Sequence, residues 1–173
     1  MNGKLEQAGD RWTLRFTRRL PHPAHKVWRA VTEREHLEAW FPGRIEGEWV
    51  VGSGLEFHGE FPTFKGEVLA VEEGSLLEFR WGSDVIRLEI APEGSGCVLT
   101  LADTFDDLGK AARDAAGWHE CLDRLVHDLD GSPQPAWGER WQELHRRYVE
   151  ALGPEASTIG PPDRVDAPAR EGS

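Results

Sequence analysis

The 173-residue sequence predicts an α+β domain in which one antiparallel sheet wraps around one long helix. Three observations predict it. The stretch RWTLRFTRRL, residues 11–20, alternates apolar and polar positions as a half-buried strand does. Between Arg44 and Thr104, turn signals at GSG 52–54, GEFP 59–62, EEGS 72–75, GSD 82–84 and PEGSG 92–96 divide the chain into about six short extended segments. After Phe105, the stretch from Lys110 to Asp130 has no proline and one internal glycine, so it reads as a single long helix.

Taken in order, residues 1–10 read as an N-terminal tail and residues 11–131 as the folded domain. In the first strand Trp12, Leu14 and Phe16 face one way and Thr13, Arg15 and Thr17 the other. PHPAHKVWRAVTEREHLEAWF then predicts two short helices: Val27, Ala30 and Val31 fall at helical spacing, and Thr32 is placed to cap a second helix ending at Trp40. In LEFRW, Leu77, Phe79 and Trp81 share a face, and in VIRLEI, Ile86, Leu88 and Ile90 do. The long helix stops at Gly131 and Pro133. An appended amphipathic helix is expected within residues 132–152, with Trp137, Trp141, Leu144, Tyr148 and Leu152 in one stripe. Residues 153–173, rich in Pro, Gly, Ser and charge, read as a disordered tail.

Composition narrows the function classes. A formal net charge of −11 repels phosphate backbones and anionic lipid, so neither nucleic acid nor membrane is expected as a partner. No apolar run reaches the ~18 residues of a membrane span, and MNGKLEQAGD lacks the apolar core of a signal peptide, so a cytoplasmic location is expected. Cys97 and Cys121 fit no thiolate metal pattern and read as free thiols.

The series RRLPHPAHKVWRAVTEREHLEAWFPG, EWVVGSGLEF, GEVLAVEEGSLLEFRW and GWHECLDRLVHDLDG resembles the activator of heat-shock protein 90 ATPase homologue group of the START-like, or Bet v 1-like, superfamily. The resemblance covers residues 11–131 and implies a helix-grip fold: a curved sheet of about seven strands holding the long helix, with an apolar cavity between them. It implies a small apolar or aromatic ligand in that cavity, and a chaperone partner as the alternative. Cyclase or aromatase chemistry in the same cavity is the third reading.

The residues themselves offer little catalytic machinery. Cys121 and His119 lie roughly 160° apart around their helix, so they cannot act as nucleophile and base. His119, Asp123 and His127 form an i, i+4, i+8 series, but its ends are separated by about 12 Å of helical rise and it reads as a solvated face. His22, His25, His36, His58 and His145 read as structural or surface residues. Asp103 shares the parity of Leu99 and Leu101 and reads as a turn or cap partner; Glu56 is the other strand acid considered. Only Asp103, Arg80 and His119 are placed to project among the aromatics. No catalytic residue, metal ligand or cofactor is therefore expected. The expected ligand-lining set is Trp40, Phe41, Phe57, Trp81, Trp118, Leu122 and Leu125. The stripe of the appended helix must lie on the domain or pair across a homodimer.

Overall fold

A computed structural model describes residues 2–161. One eight-stranded antiparallel sheet carries all the strands, β1 (Lys4–Ala8), β2 (Arg11–Leu20), β3 (Arg44–Glu46), β4 (Gly54–His58), β5 (Phe64–Glu72), β6 (Leu76–Trp81), β7 (Asp84–Glu93) and β8 (Gly96–Phe105). Their order across the sheet is β1-β2-β8-β7-β6-β5-β4-β3. After β2 the chain crosses to the far edge through α1 (Ala24–Thr32) and α2 (Arg34–Trp40), then meanders back until β8 pairs with β2. The long helix α3 (Ala111–Asp130) lies on the inner face, and α4 (Trp141–Leu152) follows it. This is the helix-grip arrangement.

Alternation sets the inner face. Leu14 and Phe16, Leu55 and Phe57, Leu77 and Phe79, Ile86 and Leu88, and Leu99 and Leu101 are all buried beneath the helices. α3 answers with Ala111, Ala115, Trp118, Leu122, Leu125 and Leu129, its small alanines letting the first turns approach the strands closely. Gly131, with φ 66°, ends the helix in the left-handed region and returns its N–H to the carbonyls of Asp128 and His127.

Four local expectations are corrected. Residues 1–10 do not form a tail, because Lys4–Ala8 extends the sheet as β1 in register with Ala8↔Arg11 through Lys4↔Arg15. Thr32 does not cap α2; it closes α1 with its hydroxyl donating to the Trp28 carbonyl, and Glu33 takes the cap position. Trp137 lies ahead of α4 rather than in its stripe, with the guanidinium of Arg124 3.9 Å above its ring. Of the expected disordered tail, Pro154–Ser157 form a short 3₁₀ turn, Ala156 is buried, and Ile159 N–H donates to the Gly109 carbonyl. The remainder of that expectation lies outside the described residues.

The stripe of α4 is covered by its own chain. Leu144 and Tyr148 are buried, and the Tyr148 hydroxyl shares a hydrogen bond with His119 Nδ1 at 2.8 Å while accepting the Gly3 N–H at 2.8 Å. Gly3 is required there, since a Cβ would sit 2.4 Å from the Phe16 ring. One phenol thus bolts the first residues, α3 and α4 together. The flank that reads as solvated is covered in part: His119 is 6% exposed against Tyr148 of α4, Asp123 pairs with Arg140 just ahead of α4 at 2.7 Å, and His127 Nδ1 meets the Ser132 hydroxyl in the loop after α3.

Burial, opposed by Asp123 and reinforced by Arg18 and Arg147, lowers His119 from 6.5 to about 4, so the ring is neutral at pH 7. Its folded pKa lies below its unfolded one. The associated stability is therefore complete above about 6.5 and lost as pH falls toward 4. We expect urea denaturation to show a stability advantage of the wild type over His119→Gln that shrinks by up to about 3 kcal/mol between pH 7 and pH 4. A pH-independent difference would show that His119 is not held neutral.

Candidate functional site: an aromatic cluster beside a buried acid

At the β3–β6 end of the inner face, nine rings form one connected cluster: Trp40, Phe41, Trp49, Phe57, Phe61, Phe64, Phe79, Trp81 and Trp118. Phe41, delivered by the end of α2, meets Trp81 at 5.0 Å and Trp118 at 5.8 Å between ring centres. Trp81 meets Phe57 and Phe64 at 4.7 Å each. Tilted and edge-to-face pairs at these separations each add about 0.5–1.5 kcal/mol to simple burial. Two indole N–H groups are satisfied by backbone carbonyls, Trp40 donating to Ala30 and Trp49 to Thr32.

Five of the expected lining residues, Trp40, Phe41, Phe57, Trp81 and Trp118, are brought together here. Leu122 and Leu125 are buried one and two turns further along α3. The rings meet one another rather than standing around an open space, so the region where a cavity is expected is occupied by side chains. Phe79, Trp49, Phe64 and Phe61 join without having been expected as lining. Phe64 is legible in hindsight, since it shares the inward parity of Val68 on β5, whereas Phe61 sits in the 59–63 loop where no periodicity applies.

Burial grades across the cluster. Trp40, Phe57 and Phe79 are at most 1% exposed, whereas Phe61, Phe64 and Trp81 at the loop end are partly open to solvent. Phe61 folds back over Gly43 and Gly59, where a Cβ would lie 2.8 Å and 2.7 Å from its ring. Two glycines are thus the seat of a ring that covers Phe64 and Trp81. A surface cleft of about 280 Å³ is lined by Trp49 together with Thr32, Leu37 and Ile45.

A polar group adjoins the rings. Asp103, near the end of β8, is 1% exposed, and its Oδ2 accepts the Trp118 indole N–H at 2.9 Å. Burial, with the nearby charges of Asp84 and Asp114 adding to it, pushes this carboxyl well above the usual carboxylate range. The neutral acid can then donate from Oδ1, which has no hydrogen-bond partner, toward Asp84, an oxygen of which lies within 4.8 Å of the Asp103 carboxyl. Asp84 is delivered by the two-residue turn at Gly82, φ 60°, and Lys110 Nζ grips both its oxygens at 2.6 and 2.7 Å. Lys110 lies 3.6 Å from Asp114 as well. Asp84, Asp103 and Asp114 bring their oxygens within 4.8 Å of one another, but the lysine ammonium already supplies the cation that cluster needs.

Asp103 is thus no turn or cap partner, and of the other two groups considered, Arg80 is exposed while His119 faces Tyr148. Cys121 is buried, and burial raises its thiol above the ordinary value, leaving it inert. A neutral Asp103 predicts that Asp103→Asn, which keeps both an acceptor for Trp118 and a donor for Asp84, costs less than about 1 kcal/mol. Asp103→Ala strands the indole N–H and costs about 1–3 kcal/mol. Equal losses in urea denaturation would contradict a protonated acid.

Comparison with known proteins agrees with this architecture. Residues 21–130 match the family described as Activator of Hsp90 ATPase homolog 1-like protein. The fold matches EF2215 from Enterococcus faecalis, a conserved protein of unknown function, at 20% identity and TM-score 0.71, over 87% of this chain and 90% of that one. It matches CalU16 from Micromonospora echinospora at 18% identity and TM-score 0.68, over 86% and 92%. DynU16, from the dynemicin biosynthetic locus, matches at 26% identity and TM-score 0.64, over 72% of this chain and 49% of that one. No curated protein sequence matches the chain. With nearly two thirds of its length matched by the family, and with the helix-grip fold around α3, the chain belongs to the Activator of Hsp90 ATPase homolog 1-like family.

Proposed function

We propose that this START-like domain binds a small, flat, apolar or aromatic molecule at the Phe61 end of the ring cluster, by displacement of the Phe61 ring, without catalysing its conversion. The observation that carries this reading is the graded burial of the cluster: rings locked at Trp40 and Phe57 become partly exposed at Phe64 and Trp81, and there a single loop side chain covers them. A flat ligand replaces the Phe61 contacts with its own, so the cost of opening is offset by what it buries. The expected Leu122 and Leu125 positions support α3 behind Trp118 rather than touch the ligand in this reading. The neutral acid Asp103 lies behind Trp118 and sets that indole's orientation; no nucleophile or free base adjoins the rings among the described residues.

Interaction with a chaperone ATPase is the second reading, favoured by the family's description. A pull-down with heat-shock protein 90, scored for a change in ATP turnover, separates the two.

Titration with 1-naphthol, followed by tryptophan fluorescence, should give saturable quenching. Phe61→Ala should tighten binding roughly tenfold, the equivalent of about 1.4 kcal/mol of removed competition. Trp81→Ala should abolish it. Failure of both wild type and Phe61→Ala to bind, or binding indifferent to Trp81→Ala, would overturn the proposal.

A further inference from the structure

On the outer face of the sheet, β3 and β4 place Glu46 directly opposite Glu56, and Arg44 opposite His58. Ile45, Leu55 and Phe57 take the inward positions, so Glu46, Glu56 and His58 share the outward side. Like charges directly opposed on neighbouring strands destabilise the pair unless a cation lies between them. Arg44 answers only one oxygen, Glu46 Oε1, at 2.9 Å. The other, Glu46 Oε2, faces His58 Nε2 at 3.4 Å, and Glu56 Oε1 approaches the same nitrogen at 3.0 Å.

His58 Nε2 has almost no exposed surface, and neither carboxylate is aligned with it for a hydrogen bond. The opposite ring nitrogen, Nδ1, is held by the Thr63 hydroxyl at 3.1 Å. A ring fixed through one nitrogen while the other points at two carboxylates is the arrangement in which metal-binding histidines are oriented. The spacing agrees. Ligands about 2.0–2.1 Å from a tetrahedral zinc ion lie roughly 3.3 Å from one another. The two separations measured at His58 bracket that value, and all three donor atoms fall within 4.8 Å of one another. Lys65 stands opposite Glu56 on β5 but forms no ion pair within 4.0 Å with either carboxylate, unlike Lys110, which grips Asp84 among the buried aspartates.

We propose that Glu46, Glu56 and His58 form a binding site for a divalent transition-metal ion of the zinc class. His58 Nε2, Glu46 Oε2 and Glu56 Oε1 are its protein ligands, and the fourth position is open to water. One imidazole with two carboxylates selects an ion that accepts nitrogen as well as oxygen, which sets zinc apart from magnesium and calcium. The site has a structural consequence. His58 closes β4 and Thr63 precedes β5, so the ion fixes both ends of the loop that carries Phe61. That coupling to Phe61 rests on the ligand-binding reading above; the metal site itself does not.

Calorimetric titration of the metal-free full-length protein with zinc should show one equivalent bound. His58→Ala and Glu56→Gln should each weaken binding at least tenfold, while His36→Ala, whose ring is paired with Asp128 on another face, leaves it unchanged. Backbone amide shifts on zinc addition should concentrate in residues 44–63. Glu56→Gln keeps the shape of the strand pair, so a loss there does not reflect unfolding. Absence of binding up to millimolar zinc, or an equivalent retained in both His58→Ala and Glu56→Gln, would overturn the site. Either result leaves 1-naphthol binding untouched as a separate question.

Discussion

The bond from the Trp118 indole to buried Asp103 is the contact on which the rest of the structure turns. A helix laid across a sheet can slide and rotate while keeping most of its apolar burial, because the hydrophobic effect has no direction. The indole N–H does have one. It fixes α3 against the end of β8 at one edge of the ring and presents the faces of that ring to Phe41 and Trp81 at the other. An acid at this position is expensive to bury, and the structure meets that cost by keeping it protonated beside Asp84, whose own charge is held by Lys110 at the entry to α3. Helix start, strand end and aromatic cluster are thereby locked to one geometry.

The same principle recurs at the opposite side of α3. Tyr148 satisfies His119 and the backbone of Gly3 together, so the first strand and the last helix close over a neutral imidazole instead of leaving it to water. Around it, the segment leading into α4 is pinned by Glu120, which accepts the Gly138 N–H at 2.7 Å, and by Arg124, which reaches the Ala39 carbonyl and lies under Trp137. The long helix is therefore held on both flanks by directional bonds. At the Phe61 end, the ring that covers Phe64 and Trp81 is itself held by packing, and the proposed opening lies there.

Much of this was legible from residue order. Alternation identified β2 and the central strands, and the α3 stripe of Ala111, Ala115, Trp118, Leu122, Leu125 and Leu129 faces the sheet as its helical spacing requires. What could not be read was what covers a surface. His119 lies at a polar margin of α3 by rotation, yet α4 lies over that margin, and single-helix periodicity carries no information about a second helix. Asp103 was visible as an inward position, but the rise of its pKa follows from its burial and from the charges of Asp84 and Asp114, with Lys110 opposing them, and these groups converge only in three dimensions. The cavity was inferred from resemblance. Whether nine rings line a space or fill it depends on their summed volume against the sheet's curvature, and Phe61 enters that sum from a loop without a pattern. Glu56 and His58 share a face by strand parity, but the pairing that sets Glu46 beside them needed the register.

The account's central claim is that the Trp118–Asp103 bond holds α3 to the sheet and opens only when the domain unfolds. Native-state hydrogen exchange of the Trp118 indole N–H measures this directly. The account predicts a protection free energy equal to the global unfolding free energy from urea denaturation under the same conditions. Exchange at a small fraction of that energy, comparable to the amides of residues 59–63, would contradict it.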